Sequence, residues 1–249
     1  MGPIMPRPAL LLFGILVRLA AGAEEDPFDL FLLVRTYSPG FCKTTKCTVP
    51  PVSAFTVHSL WPFYENGGFP QHCKTVNATG PQPDSAEMRC KWKSFKGRDA
   101  DFWEHEWDKS GTCAEPVLGD RPNFFRTALE LDEVYDLAGA LAAYNVTPSD
   151  THSYAAKDLL NAVSDSYGAA PLLRCKDKSL VEIRMCLSLD LKPIPCPPAF
   201  KSECGATLNL LEGNPVEAAC SKFFPPPGQA GKWANLVRGA GTGAVVAAA

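Results

Sequence analysis

The ten cysteines constrain this chain more than any other feature. They stand at positions 42, 47, 73, 90, 113, 175, 186, 196, 204 and 220. What precedes them reads as a secretory leader: Arg7, an apolar run over 9–17, and Ala21-Gly22-Ala23 as a small-residue cleavage site. The run is far shorter than the ~20 residues a membrane span needs. Residues 1–23 are therefore expected to be a removed signal peptide. An even number of cysteines in an oxidising compartment then becomes a disulfide framework. Metal binding is not expected, because no Cys-x-x-Cys pair occurs and the one short Cys–His spacing, His72-Cys73, is adjacent. The sequons Asn77-Ala78-Thr79 and Asn145-Val146-Thr147 suit the same compartment as glycan acceptors.

Without the leader the chain has 22 basic and 27 acidic residues, a net charge of −5. Proteins that hold nucleic acid chiefly by neutralising phosphates are basic, so any contact with RNA is confined to a local pocket. With 46% hydrophobic and 20% charged residues, the chain is not wholly disordered, collagen-like or a multi-span membrane protein. One folded domain over 24–224 is expected, then a Pro- and Gly/Ala-rich tail over 225–249 without the pattern to hold structure. Within the domain, residues 28–37 predict a buried strand and 54–60 a second, ended by Pro62. Asn66-Gly67-Gly68 is a turn and 74–87 a loop. Helices are expected over 101–109 (capped by Asp99 or Asp101, with Gly111 past its end), over 122–144, and over 155–167. Residues 180–191 alternate, with Ile183, Met185, Leu187 and Leu189 on one face. Strands and helices interleave irregularly, which favours an α+β fold over a regular βαβ sheet.

Two stretches carry chemistry: Phe55-Thr56-Val57-His58-Ser59-Leu60-Trp61-Pro62, and the run from Phe102 through Trp103, Glu104, His105, Glu106, Trp107, Asp108, Lys109, Ser110, Gly111 and Thr112 to Cys113. On a helical wheel, His105, Lys109, Phe102 and Glu106 fall within about 100° of one another, with Trp103 and Trp107 behind them. An imidazole, a cation and a carboxylate on one face suit an anion with a proton-transfer group beside it. A solvated polar face has the same pattern. His105-Glu106 is no metalloprotease pair, because the second ligand position holds Lys109. No Gly-x-Ser-x-Gly or phosphate-binding loop occurs.

These two stretches resemble the active-site segments of the ribonuclease T2 family of secreted RNA endonucleases, and the plant S-like branch in particular. The family pattern runs His-Gly-Leu-Trp-Pro and Phe-Trp-x-His-Glu-Trp-x-Lys-His-Gly-Thr-Cys. The likeness extends through the first cysteine loop, the turn at Asn66-Gly67-Gly68-Phe69-Pro70, and the spacing of Cys175, Cys186, Cys196 and Cys204. It implies an α+β fold, a twisted antiparallel sheet packed with helices, with no cofactor. It also implies a monomer that is secreted or vacuolar, is not membrane-bound, and takes single-stranded RNA or a nucleotide. By resemblance His58 is the first catalytic histidine, the acid. His105 holds the phosphate, Glu106 and Lys109 stabilise the transition state, and Trp61, Phe69 and Phe102 receive bases. Cys42 is expected to pair with Cys47, Cys73 with Cys113, Cys175 with Cys204, and Cys186 with Cys196. Cys90 and Cys220 are left to pair or to stay free.

The sequence departs from the pattern at the position of the second catalytic histidine, the base, where it has Ser110. A serine hydroxyl has no accessible pKa near neutrality, so catalysis is expected to be impaired or absent and RNA binding weak or vestigial. The alternative is a slow endoribonuclease that still forms a 2′,3′-cyclic phosphate. Ser59 replaces the glycine after His58 and would crowd the pocket. His72 and His152, the other imidazoles, read as surface residues.

Overall fold

The computed structural model describes residues 27–75, 84–224 and 226. The expected signal peptide, the sequon at Asn77 and the tail from 227 lie outside the described residues. The chain begins with strand β1 (Leu30–Tyr37), whose eight residues are all buried. It then forms helix α1 (Ser38–Thr44) and strand β2 (Phe55–Phe63). Helices α2 (Ala86–Lys91), α3 (Asp99–Glu106), α4 (Thr112–Leu118), α5 (Arg121–Val134) and α6 (Leu137–Ala142) follow, and a π-helical turn (Trp107–Gly111) joins α3 to α4. The chain closes through β3 (Ser153–Ala155), α7 (Ala156–Tyr167), β4 (Leu172–Lys176), β5 (Ser179–Leu187) and β6 (Thr207–Asn209).

The six strands form one sheet in the order β2-β1-β5-β6-β3, with β4 also paired to β5. All pairs are antiparallel except β5–β6, a parallel contact at Ser179↔Asn209, so the sheet is mixed rather than wholly antiparallel. Alternation along the strands sorts their side chains onto two faces. Phe31, Leu33, Val57, Leu60, Ile183 and Met185 join the main core with Trp92, Trp103, Trp107, Phe124 and Phe125. Leu30, Leu32, Val34 and Cys186 face the other way, under Trp61, Phe63, Ile194 and Phe200.

Several expectations about the elements change. First, β2 does not end at Pro62, which pairs with Phe31 inside the strand. β2 lies at the sheet edge, where a proline gives up no ladder bond. Second, the loop expected over 74–87 gives way at Ala86 to helix α2, with the Ser85 hydroxyl accepting from Met88 N. Third, the stretch from 122 to 144 is two helices. The Asp136 carboxylate accepts from Gly139 N and caps α6, a role for which aspartate is favoured. Fourth, neither Asp99 nor Asp101 caps α3. Asp99 accepts from Ser94 N at 2.7 Å and Asp101 pairs with Arg98.

Gly111 is not past the end of a helix; it lies inside the π turn. A Cβ there would stand 2.2 Å from Trp107 Cε3, so glycine is what lets the indole close on the backbone. Five disulfides tie the domain: Cys42–Cys47, Cys73–Cys113, Cys175–Cys204, Cys186–Cys196 and Cys90–Cys220.

Candidate active site

His58 owes its direction to a break in the β1–β2 ladder. Val34 pairs with Ser59 and Arg35 with Val57, so His58 is the extra residue of a β-bulge. Bulges turn a side chain out of strict alternation and recur beside active sites. The His58 ring meets Trp61 edge-on at 5.0 Å and Phe102 at 5.5 Å. Its Nε2 is 3.7 Å from Glu106 Oε1, and its Nδ1 is 3.0 Å from Glu182 Oε1. Glu106 is 3% exposed; its Oε2 accepts from Trp61 Nε1 at 2.9 Å, and its Oε1 lies 3.9 Å from the exposed His105 ring.

Sequence reasoning thus named five residues that the fold brings together from two distant segments: His58 and Trp61 on β2, and Phe102, His105 and Glu106 on α3. Lys109 and Phe69 form a neighbouring pair, with the ammonium 5.9 Å from the centre of a half-exposed ring. Ser110 is buried. The π turn carries i→i+5 bonds, so each of its residues advances less than on an α-helix. Relative to the simple wheel, Ser110 is rotated back toward the face of Glu106. Ser59 is fully buried beside the Glu106 carboxylate and so does not stand in the open pocket. His72 and His152 are exposed. His72 has a left-handed backbone (φ 53°), and its Nδ1 lies 2.9 Å from Asp108 Oδ2.

Glu182 and Arg184 escaped the sequence reading. Their signal was the alternation of β5: with Ile183 and Met185 in the core, the charged pair had to occupy the opposite face, where His58 also projects. Burial works against a charged His58, but the negative charge of Glu106 and Glu182, with the hydrogen bond to Glu182, outweighs it and pushes its pKa up to about 9. Burial likewise opposes ionised Glu182, yet His58 and Arg184 hold its pKa down to about 2. The Glu106 pKa is lowered despite burial, chiefly by His58. Among the described residues, no group of three His, Cys, Asp or Glu side chains is arranged to hold a metal ion, and no helix is long and apolar enough to cross a membrane.

A disulfide-tied α+β domain carries imidazole, carboxylates and open aromatic rings at one edge of its sheet, an arrangement that suits a ribonuclease. Residues 28–196 match the Ribonuclease T2 family, and the chain belongs to it. It is 31% identical over 223 residues to Ribonuclease 1 of Arabidopsis thaliana, covering 81% of this chain and 96% of that protein. Among solved structures it is similar to RNase NT in complex with 5′-AMP (TM-score 0.64, 26% identity, 75% of this chain and 99% of that one). It is also similar to an RNase-related protein from Calystegia sepium (TM-score 0.61, 26% identity, 75% and 98%).

Proposed function

We propose that this protein is a secreted member of the family that holds single-stranded RNA or nucleotides at the His58 site but cleaves RNA poorly or not at all. The observation that carries this reading is an assembled His58–Glu106–Trp61 cluster with a buried serine at 110. Cleavage by transphosphorylation has two proton transfers. A base takes the 2′-OH proton as that oxygen attacks the adjacent phosphorus, and an acid protonates the departing 5′-oxygen as the cyclic phosphate forms. His58, flanked by two carboxylates and still protonated near neutral pH, is suited to the acid step and unsuited to the base step. His105 and Lys109 supply donors and charge for the phosphate, Glu106 fixes the Trp61 indole, and Trp61, Phe69 and Phe102 offer faces for bases. Ser110 offers no proton acceptor where the base is needed.

Loss of one positioned acid or base costs ~10²–10⁴ in rate. The mature protein should therefore cleave single-stranded RNA at least about a hundredfold more slowly than an active relative. By calorimetry it should still bind 5′-AMP, and Trp61→Ala should weaken that binding by the ~1–3 kcal/mol of one stacked base. A wild-type rate equal to that of an active relative defeats the impairment, and absence of nucleotide binding defeats the pocket. The second reading, a slow endoribonuclease, is favoured by the retention of His58, His105, Glu106 and Lys109 together. A low rate abolished by His58→Ala would select it.

Export fits five disulfides and an exposed sequon at Asn145, where the backbone turns left-handed (φ 56°) after α6. We take residues 1–23 as the cleaved signal, 24–224 as the domain, 225–249 as a tail, Asn77 and Asn145 as glycan sites, and the mature protein as an extracellular or vacuolar monomer. Protein from a secretory host should begin near residue 24 and lose mass on treatment with a glycan-removing amidase. An intact leader or an unchanged mass would refute this assignment.

A further inference from the structure

Five side chains, His58 among them, close into a ring. His58 Nδ1 meets Glu182 Oε1 at 3.0 Å. The second Glu182 oxygen accepts from Arg184 Nε at 2.9 Å and Nη2 at 2.6 Å. The Arg184 guanidinium lies 5.3 Å from the Trp61 ring, and Trp61 Nε1 donates to Glu106, which returns to within 3.7 Å of His58 Nε2. The mechanism above uses His58, Glu106 and Trp61, but it gives no part to Glu182 and Arg184.

A carboxylate 6% exposed on a sheet face is costly unless its oxygens are committed, and here both are. Neither residue is free to turn away. Ile183 between them and Met185 beyond are locked in the core, and β5 is paired to β1 over Thr36↔Glu182 and Val34↔Arg184. The two imidazole nitrogens are therefore unequal. Nδ1 is engaged by Glu182, whereas among the described residues Nε2 has Glu106 Oε1 at 3.7 Å, beyond hydrogen-bond distance, and is the nitrogen left for a ligand.

We propose that Glu182, braced by Arg184, is a positioning residue for His58: it accepts from Nδ1–H and fixes the ring plane, so that the imidazolium presents Nε2–H to the phosphate or leaving oxygen and is left as the Nδ1–H tautomer once that proton is given up. This rests on the reading of His58 as the proton donor of a nucleotide site. It adds that the donor is aimed by a residue 124 positions away in the chain. The groups facing His58 are Glu106 and Phe102 from α3, Glu182 from β5 and Trp61 from its own strand. Arg184 stands behind Glu182, and His105 reaches Glu106 from the far side. The balance of these groups accords with the raised His58 pKa.

The chain has four histidines, so their imidazole resonances can be followed one by one by nuclear magnetic resonance in the folded protein. Wild-type His58, titrated past its midpoint, should keep its proton on Nδ1. Glu182→Gln preserves shape and removes charge, and it should lower the His58 midpoint by about one pH unit or more, leaving exposed His72 and His152 unmoved. A proton on Nε2 in the wild type, or an unchanged midpoint in folded Glu182→Gln, overturns the proposal. If that variant does not fold, the wild-type tautomer decides alone. Binding of 5′-AMP to the wild type is scored separately. Its absence would remove the nucleotide-site reading while leaving the Glu182–His58 result standing.

Discussion

Replacing Ser110 with histidine should raise RNA cleavage by ~10²–10⁴-fold, equivalent to about 3–5 kcal/mol of barrier. The gain follows from what the site already holds. His58 is held at 3.0 Å by Glu182 with its pKa pushed up to about 9, and Glu106 is buried and bonded to the Trp61 indole. By our assignment the phosphate-binding His105 and Lys109 are also in place, and the missing part is a group that takes a proton near neutral pH. The π turn rotates position 110 toward the Glu106 face, so an imidazole there has a route to the ligand. Position 110 is buried, and enlarging a buried side chain costs ~1–3 kcal/mol of stability, which a domain with five disulfides tolerates. Adding His58→Ala to Ser110→His should abolish the gain, since the new base would have no acid opposite it. Initial rates on a single-stranded oligonucleotide decide the matter. If Ser110→His stays at the wild-type rate, position 110 is not the sole lesion. The next variant is then Ser59→Gly in the same background, because Ser59 is packed against Glu106.

Removing the Cys90–Cys220 bridge should cost about 4–5 kcal/mol, the largest loss from any single disulfide here. It closes the longest loop, 130 residues, of which the Cys175–Cys204 bridge already removes 29. Cys42–Cys47 closes a loop of 5, for which the same chain-entropy argument gives about 2 kcal/mol. The bridge also anchors the last described segment, where Lys91 of α2 stands 4.8 Å from the centre of the Phe224 ring. For a domain of this size, the double variant Cys90→Ser/Cys220→Ser should unfold roughly 10–20 °C earlier than wild type under non-reducing conditions. A smaller drop than that of Cys42→Ser/Cys47→Ser would show that loop length does not set the ranking.

Much of this molecule was readable before any fold was known. The buried character of β1, the helical spacing of α5 and α7, and the two motif segments are local properties of residue type and period. Glycine and Asp/Asn punctuation was ambiguous. Gly111 looked like a helix end but serves close packing by Trp107, and Asp136 looked internal to one helix but caps the next. In both cases the outcome depends on a neighbour that periodicity does not record.

The sequence by itself determined the cysteine inventory, the family and the absence of a histidine at 110, because each of these is written in residue identity and spacing. The tertiary structure decided what His58 is. A bulge with no signature in Phe55-Thr56-Val57-His58-Ser59 turns the ring outward, and a strand more than a hundred residues later delivers Glu182 and Arg184 to its far side. Protonation and aim are set by charges within a few ångströms, and which charges arrive at that distance is a property of strand pairing, not of the motif.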